Sequence, residues 1–321
     1  MSGLISSLLH ATNYRTPFLR TLIPSIGLAF GIQAAVAVPS ILAQSERFYD
    51  ASGSLTYIAC TALSLYLPTL RARYGAGAAP GQSTAWPSLL GSLTGSGGAN
   101  AWNWRQVALS AAVTIWAARL GSFLFSRITS ENGEDSRFEG IRESPPKFLG
   151  AFFAQATWVS ICLLPVLAVN SIPATTLAAL PLVTVTDVVG LALYVGGITF
   201  EATADRQKSQ WMKEKKEKKH SEDFLTRGLW GKSRHPNYFG ESTLWTGIAT
   251  TAAGVMLSRV GQAGMGLSGS GAARLGALSM AAVSPGFVTF LLLKVCSNDR
   301  LFWELRMKLM GVGFWCASER E

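Results

Sequence analysis

Hydrophobic residues in this chain come in long unbroken runs and rarely alternate with polar ones. Residues 148–169, FLGAFFAQATWVSICLLPVLAV, carry no formal charge, and neither do residues 188–200, VVGLALYVGGITF. Runs at 21–43 and 52–70 are also uncharged, those at 241–257 and 277–295 hold one charge near an end, and that at 106–128 holds two arginines. Roughly 20 apolar residues at a 1.5 Å rise cross the hydrocarbon of a bilayer. The pattern therefore predicts an all-α, polytopic transmembrane helical bundle of about seven spans, with six to eight as its bounds.

Composition agrees. Charged residues make up 15% of the chain and hydrophobic ones 49%, with a mean hydropathy of +0.27, whereas a soluble domain carries about 25% charged residues. Seven such helices leave too little polar sequence to cover a water-soluble core. The net charge of +9 is concentrated after the fifth run, where KEKKEKK spans residues 213–219. Basic residues beside a span mark the cytosolic side, so this helix-loop is expected in the cytosol, with the loops at 45–51 and 129–147. The N-terminus then lies opposite, and Arg71 and Arg73 fall on the side the rule disfavours. The basic run suits anionic lipid better than nucleic acid. Four cysteines lack CxxC or metal-ligand spacing, so neither disulfide nor metal is expected. The first run lacks a cleavage-site pattern and is expected to be retained. Residues 75–101 and 261–276, rich in Gly and Ser, read as flexible loops.

Three clusters carry chemistry. In Gly228-Leu-Trp-Gly-Lys-Ser-Arg-His-Pro-Asn-Tyr-Phe-Gly-Glu241, the proline sets a helix start at residue 236 or 237, leaving His235 extended. A helix N-terminus offers unpaired N–H groups to phosphate, and Lys232 and Arg234 add cations. The same stretch also reads as a plain, positively flanked start of a membrane span. Upstream, the helix expected across 198–220 places Glu201, Asp205, Lys208 and Met212 on one face. These carboxylates suit ribose hydroxyls, an ion pair with Arg234, or a solvated helix end. Third, Arg119 lies inside an apolar run, where it faces a cavity or partner or else snorkels to the interface; Gln155 is a milder instance. No GxGxxG after a strand, Walker A loop, GxSxG or HExxH is present.

On these residues the chain resembles the steroid 5-alpha-reductase-like membrane proteins. The resemblance runs through Trp116…Arg119-Leu-Gly…Arg127…Glu134-Asp…Arg137-Phe138, Phe153…Gln155…Pro165 and Gly190…Gly197…Phe200-Glu-Ala…Asp205…Gln207-Lys208. It continues through Gly228-Leu-Trp…Ser-Arg-His-Pro-Asn-Tyr-Phe-Gly-Glu241 and Ser284-Pro285, covering about residues 105–295. It implies NADPH held between the C-terminal spans and reduction of a carbon–carbon double bond conjugated to a carbonyl in a lipidic substrate. The basic cytosolic loop and the lack of a cleavable targeting pattern point to the endoplasmic reticulum. By motif position, Asn237 and Glu241 would hold the nicotinamide end. Asp205, with Glu201 and Lys208 nearby, would meet the nucleotide, and Arg234, His235 and Tyr238 would line its cleft. Arg119 and Gln155 are the substrate-cavity candidates. The motifs assign no catalytic acid. The Arg-His-Pro-Asn-Tyr turn also occurs in isoprenylcysteine methyltransferases, where it would serve S-adenosylmethionine; a non-catalytic protein keeping the fold is the third reading. Residues 1–104 form an N-terminal membrane segment, 105–296 the reductase-like domain, and 297–321 a tail that departs from the family pattern.

Overall fold

The computed structural model describes residues 2–75, 86–94, 101–130, 135 and 138–296. Its helices are α1 Ser2–Ala11, α2 Pro17–Leu42, α3 Tyr49–Tyr74, α4 Leu89–Thr94, α5 Trp104–Ser130, α6 Pro145–Asn170, α7 Ala174–Leu177, α8 Val185–Lys216, α9 Pro236–Leu257, α10 Arg259–Met265 and α11 Gly271–Cys296, with no strand among the described residues. Proline opens α2, α6 and α9, where its missing N–H costs no hydrogen bond. Thr184 and Asp187 form a reciprocal capping box at the start of α8. Among the described residues five helices, α2, α5, α6, α8 and α11, are long and apolar enough to cross a membrane. The two further spans expected from sequence are α3 and α9, with 26 and 22 residues; they fall short on apolarity.

The polarity of α8 is that of a membrane helix. Its buried stripe is Asp187, Gly190, Tyr194, Gly197, Glu201 and Ala204, while Val185, Val188, Val189 and Val195 face outward. Small residues inside and aliphatic ones outside suit a solvent of lipid tails. Within that stripe Gly190 and Gly197 meet α9, whose Gly240 and Gly247 meet α8 in return. A Cβ on Gly197 would stand 2.7 Å from the Gly240 carbonyl, and one on Gly240 would stand 2.6 Å from the Glu201 nitrogen. Only hydrogen fits, so the two backbones touch, and Glu201 is set directly against the first turns of α9.

Three sequence expectations change. Residues 261–276 are not one loop: α10 and the start of α11 occupy most of them. Within 75–101, α4 forms and Trp102 donates to the Leu65 carbonyl; residues 76–85 and 95–100 lie outside the described residues. The helix expected to reach residue 220 ends at Lys216. Arg71, which the charge rule would disfavour at its expected position, donates to the carbonyls of Leu9, Thr12 and Arg20 at 2.8–3.0 Å. It closes the end of α1, which is a structural reason for a cation there.

Candidate functional site

Parallel helices α5 and α8 do not pack backbone to backbone; long polar side chains bridge them instead. Arg105 grips Asp187, Tyr194 Oη donates to the Ala112 carbonyl at 2.8 Å, and Arg119 grips Glu201. Each pair is 82 positions apart, so the rungs repeat every seven residues, roughly 10 Å along the helices. In the last rung Arg119 also reaches Asp205 at 2.9 Å. Arg119 thus faces a partner and does not snorkel. The carboxylates, expected to be solvated or paired with Arg234, are held by α5.

Beside this clamp lies a concentration of unsatisfied polar atoms. Glu201 Oε2, Arg119 Nε, Trp116 Nε1, Trp245 Nε1, Asn237 Oδ1 and Tyr57 Oη are all buried without a hydrogen-bond partner. Each such group costs about 1–3 kcal/mol, so crowding on four helices marks a place built for another molecule or for ordered water. Tyr57, Trp116 and Trp245 form a mutually edge-on or tilted aromatic group with centroids 4.9–5.9 Å apart. Glu241, one turn beyond Asn237 and only 3% exposed, lines a cavity of about 50 Å³ between α3, α5, α6 and α9 that opens outward. That space admits a few waters. Its wall includes Tyr57, Trp116, Leu120, Gln155 and Trp158, with Asp50 at the end nearest the start of α3.

The opposite approach to α9 is cationic. The turn at 228–231 is pinned to α8 by Trp230 Nε1 donating to the Ala204 carbonyl and the Leu229 N–H donating to Gln207 Oε1. Its first residue, Gly228, has a φ of +61°, a conformation that favours glycine. Lys208 Nζ stands 5.0 Å over the Trp230 ring. His235 stacks on Tyr238 with rings 5.0 Å apart and 10° from parallel. Burial, then the charges of Lys208 and Arg234, pushes the His235 imidazole below its ordinary 6.5. The helix begins at Pro236 with His235 outside it, as the proline rule requires.

The residues singled out in sequence thus fall into three places. Glu201, Asp205, Asn237 and Glu241 meet at the α8–α9 contact; Lys208, Arg234 and His235 form the rim above it, with Tyr238 buried in the core against the His235 ring; Gln155 lines the cavity. Arg119 does not line that cavity. It projects toward α8, whereas Trp116, Leu120 and Leu124 form the cavity stripe of α5. Sequence reasoning missed Tyr57 and Trp245: a hydroxyl or indole in an apolar span gives no local sign that its partner is absent. Glu134 and Arg137 lie outside the described residues, as does the tail 297–321.

The model of a family described as a protein of unknown function, DUF1295, matches residues 83–263, more than half of the chain. The chain belongs to that family of membrane proteins. No curated protein and no solved structure matches it.

Proposed function

We propose that this DUF1295 protein is an NADPH-dependent membrane reductase acting on a conjugated carbon–carbon double bond of a lipidic substrate, in the steroid 5-alpha-reductase-like manner. In this reading α3 and α9 also cross the bilayer, giving seven spans, with the basic helix-loop cytosolic and the protein in the endoplasmic reticulum. The observation that carries it is the set of buried, partnerless polar atoms between a cationic helix N-terminus and an apolar cavity. A dinucleotide needs cations for phosphates and acceptors for its carboxamide NH2 group; an enone needs an apolar slot with a proton donor.

The residues fit these needs. Lys208, Arg234 and His235 would receive phosphates at the start of α9. Asn237 and Glu241 would hold the carboxamide, Asn237 Oδ1 and the Glu241 carboxylate each accepting from its NH2 group. Arg119 takes one oxygen from each of Glu201 and Asp205, leaving the other oxygens for ribose hydroxyls. NADPH, when bound, supplies the hydride. Tyr57 is the donor assigned to the substrate carbonyl, and Trp116 and Trp158 exclude water around it.

Equilibrium binding of NADPH and of S-adenosylmethionine to the detergent-purified protein tests the reading. NADPH should bind, and Asn237→Ala and Glu241→Ala should each weaken it by about 1–3 kcal/mol. Binding of S-adenosylmethionine alone would make the protein a methyltransferase; binding of neither would leave a non-catalytic membrane protein.

A further inference from the structure

We infer that Gln155 is a specificity donor, so that the cavity takes lipids carrying a second acceptor oxygen, such as a keto-ester or ene-dione, over simple mono-oxygenated enones. The inference rests on the reading of this cavity as a substrate site, and it deepens that reading.

Gln155 reaches the wall from α6 and packs on α3 at Gly53, which lines the same cavity. Behind it lies a polar network inside the apolar bundle. Ser52 Oγ donates to the Tyr49 carbonyl at 2.7 Å and stands 3.3 Å from Gln33 Oε1 and 3.5 Å from Gln155 Oε1, and Gln33 Nε2 donates to Thr56 Oγ1 at 2.7 Å. Gln33, Ser52 and Thr56 are all buried. With its oxygen turned to Ser52, the carboxamide directs Nε2 to the Gly53 side, where a Cβ would collide with it. No hydrogen bond among the described residues uses Nε2. Polar groups between membrane helices are costly unless they have a use. The network backs one amide set against a small-residue gap in the cavity wall, where an N–H pair without a protein partner among the described residues meets a ligand. Gly53 and Tyr57 are one helical turn apart on α3, about 6 Å, which sets the spacing between the two oxygens read.

The probes are dodec-3-en-2-one, with one carbonyl, and methyl 4-oxododec-2-enoate, whose ketone and ester flank the double bond. Their binding to the purified full chain is followed by quenching of tryptophan fluorescence, since Trp116 and Trp158 line the cavity. The wild type should bind the keto-ester about 3- to 10-fold tighter, as one neutral hydrogen bond allows. Gln155→Leu should bring the ratio close to one. Gly53→Ala, which keeps the amide but displaces it, should do the same, with thermal unfolding checking that both variants fold. Equal binding of the probes by the wild type, or a ratio unchanged in the folded variants, overturns the inference. The measurement needs no turnover. A ratio that collapses in a protein that binds no NADPH would sink the reductase reading and leave the Gln155 site standing.

Discussion

Arg119 of α5 and Glu201 of α8 join two helices whose backbones do not touch, and they do so in the same register as Arg105 with Asp187. The guanidinium therefore holds two carboxylates against α9 and fixes the axial position of α8 relative to α5. Arg119→Ala should strip that charge from Glu201 and Asp205 and destabilise the detergent-solubilised protein by about 1–3 kcal/mol. This lies below the usual figure for a buried pair because the Arg119 side chain keeps 23% of its surface exposed. Thermal unfolding measures it, and adding Glu201→Gln to Arg119→Ala should restore part of the loss. No restoration would mean the pair acts independently.

The first rung lies deeper. The side chains of Arg105 and Asp187 are 2% and 1% exposed, and Arg105 also donates to the Pro181 carbonyl at 2.8 Å. Removing one partner of a fully buried pair costs about 3–5 kcal/mol. Arg105→Ala should therefore unfold at markedly lower denaturant than wild type, more so than Arg119→Ala. The reverse ranking would contradict the burial argument.

Adjacent glycines of α8 should respond with opposite signs. A methyl on Gly196 meets nothing within 4 Å, whereas one on Gly197 strikes the backbone of α9 at Gly240 and Leu244. Gly196→Ala should stabilise the helix by about 0.5–1 kcal/mol. Gly197→Ala should cost about 1–3 kcal/mol by forcing the helices apart. Because Glu201 lies one turn further along, Gly197→Ala should also weaken NADPH; equal stability of the two variants would remove the close-contact account.

The pH response of the unliganded protein follows from His235. Its folded value lies below 6.5, so between that value and 6.5 the unfolded chain binds more protons than the folded one. Stability from this group is complete above about 6.5 and falls as pH drops through the window. His235→Gln should flatten that slope in thermal unfolding between about pH 5 and 7. Bound phosphate would reverse the sign by favouring the imidazolium, so NADPH affinity should rise with acidification in wild type and stay level in His235→Gln.

Much of this organisation is legible from local rules. Uncharged runs gave the helices, and Pro236 and Thr184–Asp187 gave two of their starts, because chain stiffness and capping act within a few residues. The acidic face at Glu201 and Asp205 and the cationic turn at 232–235 were likewise visible as spacings. Their partners were not. The choice among Arg119, Arg234 and water for those carboxylates depends on which helices lie side by side.

Solvent preference and helix punctuation, both local properties, were settled by the amino-acid sequence alone: an all-helical chain whose apolar faces belong in lipid. Tertiary structure alone decided that Gly197 and Gly240 bring α8 and α9 into backbone contact, that Arg119 turns from the cavity to α8, and that Tyr57, Trp116, Gln155 and Glu241 border one space. The reason is that a hydrogen bond left unmade is a property of every neighbour at once, and neighbours tens or hundreds of positions apart are chosen only when the helices pack.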